Sequence, residues 1–92
     1  MIELAKFSRP GCRPCVAISH YIDELKETGA LDGIVIAHYN TDNLSEEDLA
    51  KYKISSVPVL LFKRNGLEIT RITGMTDQET IVDCVKMARE ER

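Results

Sequence analysis

Two cysteines, Cys12 and Cys15, stand two residues apart where a short apolar run meets an amphipathic pattern. The run is Ile2-Glu3-Leu4-Ala5-Lys6-Phe7, and the amphipathic pattern begins at about Arg13. A strand that ends in a turn and launches a helix aims the helix N-terminus at the turn. Unpaired backbone N–H groups and the helix dipole favour an anion at that point. A cysteine placed there is drawn toward thiolate, the form that attacks disulfides and binds metals. The pattern therefore asks for an α/β fold with its chemistry at one strand–helix junction. It leaves open two chemistries, dithiol–disulfide exchange and half of a metal site.

Bulk composition narrows the choice. The 92 residues make one small domain, 1–92, with no internal repeat or linker. A net charge of −3 and the lack of a long basic run argue against a nucleic-acid partner. No apolar stretch has the length of a membrane span, and no basic segment followed by an apolar one opens the chain. A cytoplasmic protein is expected, acting as a monomer. Three cysteines is an odd number, which argues against a closed disulfide framework. In a reducing compartment a close cysteine pair is catalytic or metal-binding. A tetrahedral metal site would have to recruit Cys84, His20 or His38, and its fourth ligand is unassigned; no bound metal is expected.

Periodicity sets out the elements in order. Residues 2–7 read as a central strand, Ser8 to Gly11 as a turn, and about 13–28 as a helix. Pro14 suits the first turn of that helix, Ile18, Ile22 and Leu25 mark its core face, and Gly29 stops it. Ile34 to Tyr39 reads as a second buried strand, parallel to the first through a right-handed crossover. Ser45 caps a short helix ending near Tyr52. Pro58 opens a strand over 59–63, Asn65-Gly66 turns a hairpin, and 68–73 returns with the alternation of an edge strand. Thr76-Asp77-Gln78-Glu79 has the form of a capping box, and the last helix runs to about Glu90 with Ile81, Val85 and Ala88 inward. The expected architecture is a four-stranded mixed sheet, β-α-β-α-β-β-α, with helices on both faces and the first strand central. The cysteine pair then sits at the carboxyl edge where the strand order reverses, with Pro58 beside Cys12.

These residues resemble the thioredoxin superfamily, in a compact version without the family's first strand and helix. The marks are Gly11-Cys12-Arg13-Pro14-Cys15 after a central strand, Val57-Pro58 before a strand, Lys63-Arg64-Asn65-Gly66 in a hairpin, and Gly74 before the final helix. The resemblance implies a cis Val57–Pro58 bond packed against the site. It also implies a thiol–disulfide oxidoreductase with no bound cofactor. Its substrates would be proteins carrying disulfides, and its electrons would come from an NADPH-dependent flavoprotein of the thioredoxin-reductase type. This sequence departs from the family pattern around the site. Gly11 stands where an aromatic is usual, Lys6 where the family has a buried acid, His38 where it has a lysine, and His20 where it has a helix-kinking proline. Thr73-Gly74-Met75-Thr76 lacks the Gly-Gly turn with which glutaredoxins help hold glutathione.

The expected chemistry assigns Cys12 as the exposed nucleophile and Cys15 as the resolving thiol, the two closing a redox disulfide. Arg9 and Arg13 bracket Cys12, and a nearby cation stabilises a thiolate. Lys6 shares a strand face with Ile2 and Leu4, where a charge is costly unless paired or reaching water. It either tunes Cys15 in place of the acid or only snorkels to the edge. His38, on the neighbouring strand, is a second candidate for tuning. Val57 offers backbone to an extended substrate segment beside Pro58, and Gly74 lets its loop approach the site closely. Cys84 reads as a core residue. The alternatives are a glutaredoxin-like or partner-specific reductase, and a binding module that uses the cysteine pair for a metal.

Overall fold

In a computed structural model, residues 1–90 are described. The elements are β1 (Ile2–Ser8), α1 (Arg13–Glu27), β2 (Ile34–Asn40), α2 (Glu46–Tyr52), β3 (Val59–Arg64), β4 (Leu67–Thr73) and α3 (Gln78–Glu90), with a short 3-10 turn at Thr41–Asn43. They form a four-stranded sheet in the order β2-β1-β3-β4. β1 runs parallel to β2 and antiparallel to β3, and β3 and β4 form an antiparallel hairpin. The fold class and the central place of β1 are as expected.

Alternation along β1 and β3 divides the core between the two faces of the sheet. Leu4, Leu60 and Phe62 point to one side, where Ile18, Ile22 and Leu25 of α1 and Ile81, Val85 and Ala88 of α3 cover them. Ala5, Phe7, Val59 and Leu61 point to the other, toward Leu49 and Tyr52 of α2 and Ile54 beyond it. The stripe on α1 works because positions four and three apart share a face. Cys15 heads the same stripe, which is why it is buried. Beyond the helix, Thr28 and Gly29 end the turn, with Ala30 N–H donating to Leu25 C=O. The hairpin turns through Asn65 at φ 52° and Gly66 at φ 84°, the left-handed pair that suits the twist of a two-residue connection.

Three expectations are corrected. β2 is apolar but not a buried strand: it lies at the sheet edge, and none of its residues is fully buried. An apolar run in a parallel strand has the same sequence signature whether or not another strand lies beyond it. The cap of α3 is Asp77 rather than Thr76, because Asp77 Oδ1 accepts from Thr80 N–H at 2.8 Å. The form of a capping box was present without the bond that defines one. Gly74 is not required by a close approach; its backbone is at φ +89°, and a Cβ there would meet nothing within 4 Å. The left-handed backbone is what asks for glycine.

Candidate active site

The C-terminal ends of β1 and β2 and the start of β3 meet at one edge of the sheet, with Phe7 paired to Tyr39 on one side and Val59 on the other. β1 passes into the turn Arg9-Pro10-Gly11, which Cys12 N–H closes onto Arg9 C=O at 3.4 Å. Cys12 is the N-cap of α1, and its Sγ accepts the N–H of Cys15 at 3.2 Å. A sulfur here takes the place of the oxygen that normally caps a helix, and it faces the positive end of the helix dipole. Pro14 costs the helix nothing, since first-turn N–H groups have no partner within the helix.

Cys12 and Cys15 are joined as a disulfide, with Cα atoms 5.2 Å apart. Cys12 is half-buried at the surface, whereas Cys15 is only 4% exposed. An incoming group can therefore reach one sulfur and not the other. Arg9 and Arg13 are both exposed, on either side of Cys12. Arg9 lines two depressions, one of which also takes in the cysteine pair. One, of about 310 Å³, is lined by Gly11, Cys12, Cys15, Val16 and Ser19, with Ser8 and Asn40 at the strand ends. The other, of about 390 Å³, is lined by Thr41, Asp42, Leu49, Ile54 and the segment Ser55-Ser56-Val57.

The Val57–Pro58 bond is cis. Val57 is half-buried and Pro58 buried, at the sheet edge where β3 begins. Gly74 N–H donates to Pro58 C=O at 2.9 Å, so the end of β4 braces the proline segment.

Lys6 lies on the α1 and α3 side of the sheet, only 8% exposed. Its Nζ donates to Ser19 Oγ on α1. Burial pushes its pKa down; Asp23 opposes that shift and Lys26 adds to it. His38 pairs with Lys6 in the β1–β2 register, exposed on the edge strand. Desolvation first, then the charges of Lys6 and Lys26, push its pKa down against the pull of Asp23. Cys84 is a buried free thiol in the α1–α3 core, and burial pushes its pKa up, with Asp83 adding to the rise. Among the described residues no three His, Cys, Asp or Glu side chains are grouped to hold a metal ion.

The structure thus gathers Cys12, Cys15, Arg9, Val57 and Pro58 at one edge, with Gly74 bound to Pro58. Arg13 stands outside the two depressions. Lys6 and His38 lie behind α1. Sequence reasoning missed Ser19, which lines the cysteine cavity and carries the Lys6 contact. The available signal was its place four residues after Cys15, on the same helix face.

Comparison with known proteins agrees with this geometry. The family model described as Thioredoxin matches residues 2–87. The thioredoxin of Bacillus subtilis (strain 168) is 31% identical over 85 residues, covering 91% of this chain and 79% of that protein. A chloroplastic M-type thioredoxin of Pisum sativum is 35% identical over 83 residues, covering 90% of this chain but 47% of that protein. Among solved structures, a mutant thioredoxin from Halobacterium salinarum NRC-1 superposes with a TM-score of 0.83 at 21% identity, covering 99% of this chain and 77% of that one. With a family model spanning nearly all of the described chain and a cysteine pair bonded at the strand–helix junction, the chain belongs to the thioredoxin family, the thiol–disulfide oxidoreductases.

Proposed function

We propose that this chain reduces disulfides in other proteins, with Cys12 as the attacking thiolate and Cys15 as the resolving thiol. One observation carries the assignment of roles: Cys12 Sγ is the surface cap of α1 and accepts a backbone N–H, while Cys15 is buried one turn behind it. The Cys12 thiolate attacks one sulfur of the substrate disulfide; the new bond is a mixed disulfide, and the other substrate sulfur leaves with the electron pair and takes a proton. Cys15 then loses its proton and attacks Cys12 Sγ. The second substrate thiol is released, and the chain is left with the Cys12–Cys15 disulfide.

Arg9 and Arg13 add positive potential around the attacking sulfur, at a strength that salt reduces. Val57 and Pro58 form the platform for an extended substrate segment, with Gly74 supporting it from β4. A dithiol is needed to reopen the disulfide, and an NADPH-dependent flavoprotein reductase is the donor in this reading. Reduction as the working direction calls for a reducing compartment, hence cytoplasm. No helix among the described residues is long and apolar enough to cross a membrane. The metal-binding alternative gains no support, since the cysteine pair has no further ligand grouped with it among the described residues.

The test is a trapping experiment. Cys15→Ser leaves the attack intact and removes the resolving thiol, so a disulfide-bearing protein such as insulin is expected to stay bound as a mixed disulfide through Cys12. Cys12→Ser is expected to abolish both trapping and catalysed insulin reduction by dithiothreitol. Trapping through Cys15 in the Cys12→Ser protein, or stoichiometric zinc with inert thiols in the wild type, would overturn the reading.

A further inference from the structure

Ser19 lines the cysteine cavity without a part in the exchange as described. It lies four positions after Cys15 on α1, so the Cβ atoms of the two are about 5–6 Å apart on one helix face. Both residues line the same cavity. From behind, the buried Lys6 Nζ donates to Ser19 Oγ. A hydroxyl has one hydrogen to give and two lone pairs to receive with. Lys6 occupies a lone pair, while the hydroxyl hydrogen has no protein acceptor among the described residues. The common alternative, a bond back to the carbonyl four residues earlier, is not made. With Cys12 and Cys15 bonded, the neighbouring sulfur carries no charge to attract that hydrogen. Once the disulfide opens, it does.

We propose that Ser19, held and polarised by Lys6, is a positioning residue that donates its hydroxyl hydrogen to Cys15 Sγ in the reduced protein and stabilises the Cys15 thiolate. The inference rests on the exchange reading of Cys12 and Cys15. Lys6 can donate to Ser19 as ammonium or as amine, and its charge strengthens the donor it polarises. Around Lys6 stand Asp23 and Lys26 from α1 and His38 from β2, with the uncharged Leu60 opposite on β3. Arg9 faces the cavity from the β1–α1 turn.

The step this serves is resolution. The Cys15 thiolate attacks Cys12 Sγ in the mixed disulfide. The Cys12–Cys15 bond forms, the bond from Cys12 to the substrate sulfur breaks, and the electron pair leaves on the substrate thiolate, which takes up the proton that Cys15 gave to solvent. The dithiol is oxidised by two electrons and the substrate disulfide is reduced by two. A donor aimed at Cys15 enlarges the attacking fraction and also stabilises the reduced pair, making the couple more oxidising. An acid at position 6 would act on the thiolate with the opposite sign.

The experiment compares wild type, Ser19→Ala, Ser19→Thr and Lys6→Met. The readouts are the equilibrium of the Cys12–Cys15 pair with a glutathione redox buffer, and the titration of Cys15 Cβ in the reduced protein followed by NMR. Ser19→Ala is expected to shift the equilibrium toward the disulfide about tenfold, the worth of a hydrogen bond to a charged acceptor, and to move the Cys15 titration to higher pH. Ser19→Thr keeps the hydroxyl and is expected to restore both. Lys6→Met is expected to shift both in the Ser19→Ala direction, and adding it to Ser19→Ala to give less than the sum, as for two members of one unit. Wild-type behaviour of Ser19→Ala, within about twofold on that same scale, overturns the inference. So does a shift in Lys6→Met with Ser19→Ala silent, which means the charge acts across space. Should Lys6→Met fail to fold, the alanine and threonine pair decides alone, since Ser19 is half-buried on a helix that alanine favours. A wild-type protein that neither forms a reversible Cys12–Cys15 disulfide nor reduces insulin overturns the exchange reading instead.

Discussion

Lys6 puts an amine on the strand face it shares with Ile2 and Leu4, near the end of β1 and under α1. Its bond to Ser19 satisfies one of its three donors, and Asp23 opposes the cost of burial without cancelling it, because the net direction of the pKa is down from 10.5. A lysine that releases its proton earlier in the folded chain than in the unfolded one leaves the unfolded chain holding more protons between those two values. Stability from this group therefore rises with pH across that window, and the burial penalty is fully present below it. Replacing the amine with an apolar side chain of similar length removes the penalty. Lys6→Met is expected to gain about 1–2 kcal/mol at neutral pH, and the gain is expected to shrink as pH approaches 10.5. Urea unfolding of both proteins at neutral and alkaline pH reads the difference, in which titrations common to the two cancel. A gain that stays constant or grows with pH would show that Lys6 is not held with a lowered pKa. A protein that keeps a lysine against this gradient puts weight on what the lysine touches, which is Ser19.

Among the elements, α2 depends most on its neighbours. It has seven residues, none of them buried, and a helix of that length is not stable alone. Its start is secured locally, by Ser45 Oγ accepting from Asp48 N–H at 3.1 Å. Its end is secured from β4: Arg71 donates to Tyr52 C=O at 2.9 Å and Lys53 C=O at 3.2 Å, while the carboxylate of Glu68 grips the same guanidinium with two contacts of 2.8 Å. That carboxyl is held below its usual range, chiefly by its hydrogen bond with Arg71. Arg71→Ala is expected to cost about 1–2 kcal/mol, mostly from the two helix-end carbonyls, since a half-exposed ion pair adds little. Arg71→Lys is expected to recover less than half of that, because an ammonium cannot span both carbonyls and the carboxylate as a planar fork does. Chemical denaturation measures the cost; equal stability of Arg71→Lys and wild type would remove the fork from the account. The same residues mark what was legible in the sequence. Ser45 and Asn65-Gly66 act through neighbours in the chain, and each was read from local pattern; the cis Val57–Pro58 bond and the Cys12–Cys15 pairing were implied by the family resemblance. Arg71 reaches back 18 and 19 residues, and Lys6 reaches Ser19 across 13, partners that exist only once the sheet is assembled. The partial exposure of β2 was missed for a related reason: its own residues carry no record of what lies beyond them.

On the scale of the whole molecule, the two faces of the sheet are unequal. Beneath α1 and α3 lie the fully buried Leu4, Ile18, Leu60, Phe62 and Ile81, whereas the α2 face holds the smaller group of Ala5, Phe7, Ile54, Val59 and Leu61, with Tyr39 and Tyr52 packed at its margin. Apolar area sets most of the cost of opening, so the larger face is where global stability resides. The α2 side also carries the depression lined by Arg9, Leu49, Ile54 and the Ser55-Ser56-Val57 segment. If Val57 and Pro58 form the proposed platform, a face that opens at lower cost next to that segment would let the platform adapt to differing substrates while Cys12 stays fixed on the rigid face. Native-state hydrogen exchange separates the two. Amides of α2 are expected to exchange through an opening of lower free energy and weaker denaturant dependence than those of β1, β3, α1 and α3, which are expected to exchange together near the global value. Phe62→Ala is expected to lower that global value by about 3–5 kcal/mol, a large share of the roughly 5–14 kcal/mol expected for a chain of this size, while leaving the α2 opening almost unchanged. Arg71→Ala is expected to do the reverse, speeding exchange in α2 far more than in the central strands. If α2 and β1 exchange with one free energy in all three proteins, the molecule opens as a single unit, and adaptation of the platform would have to come from side-chain motion alone.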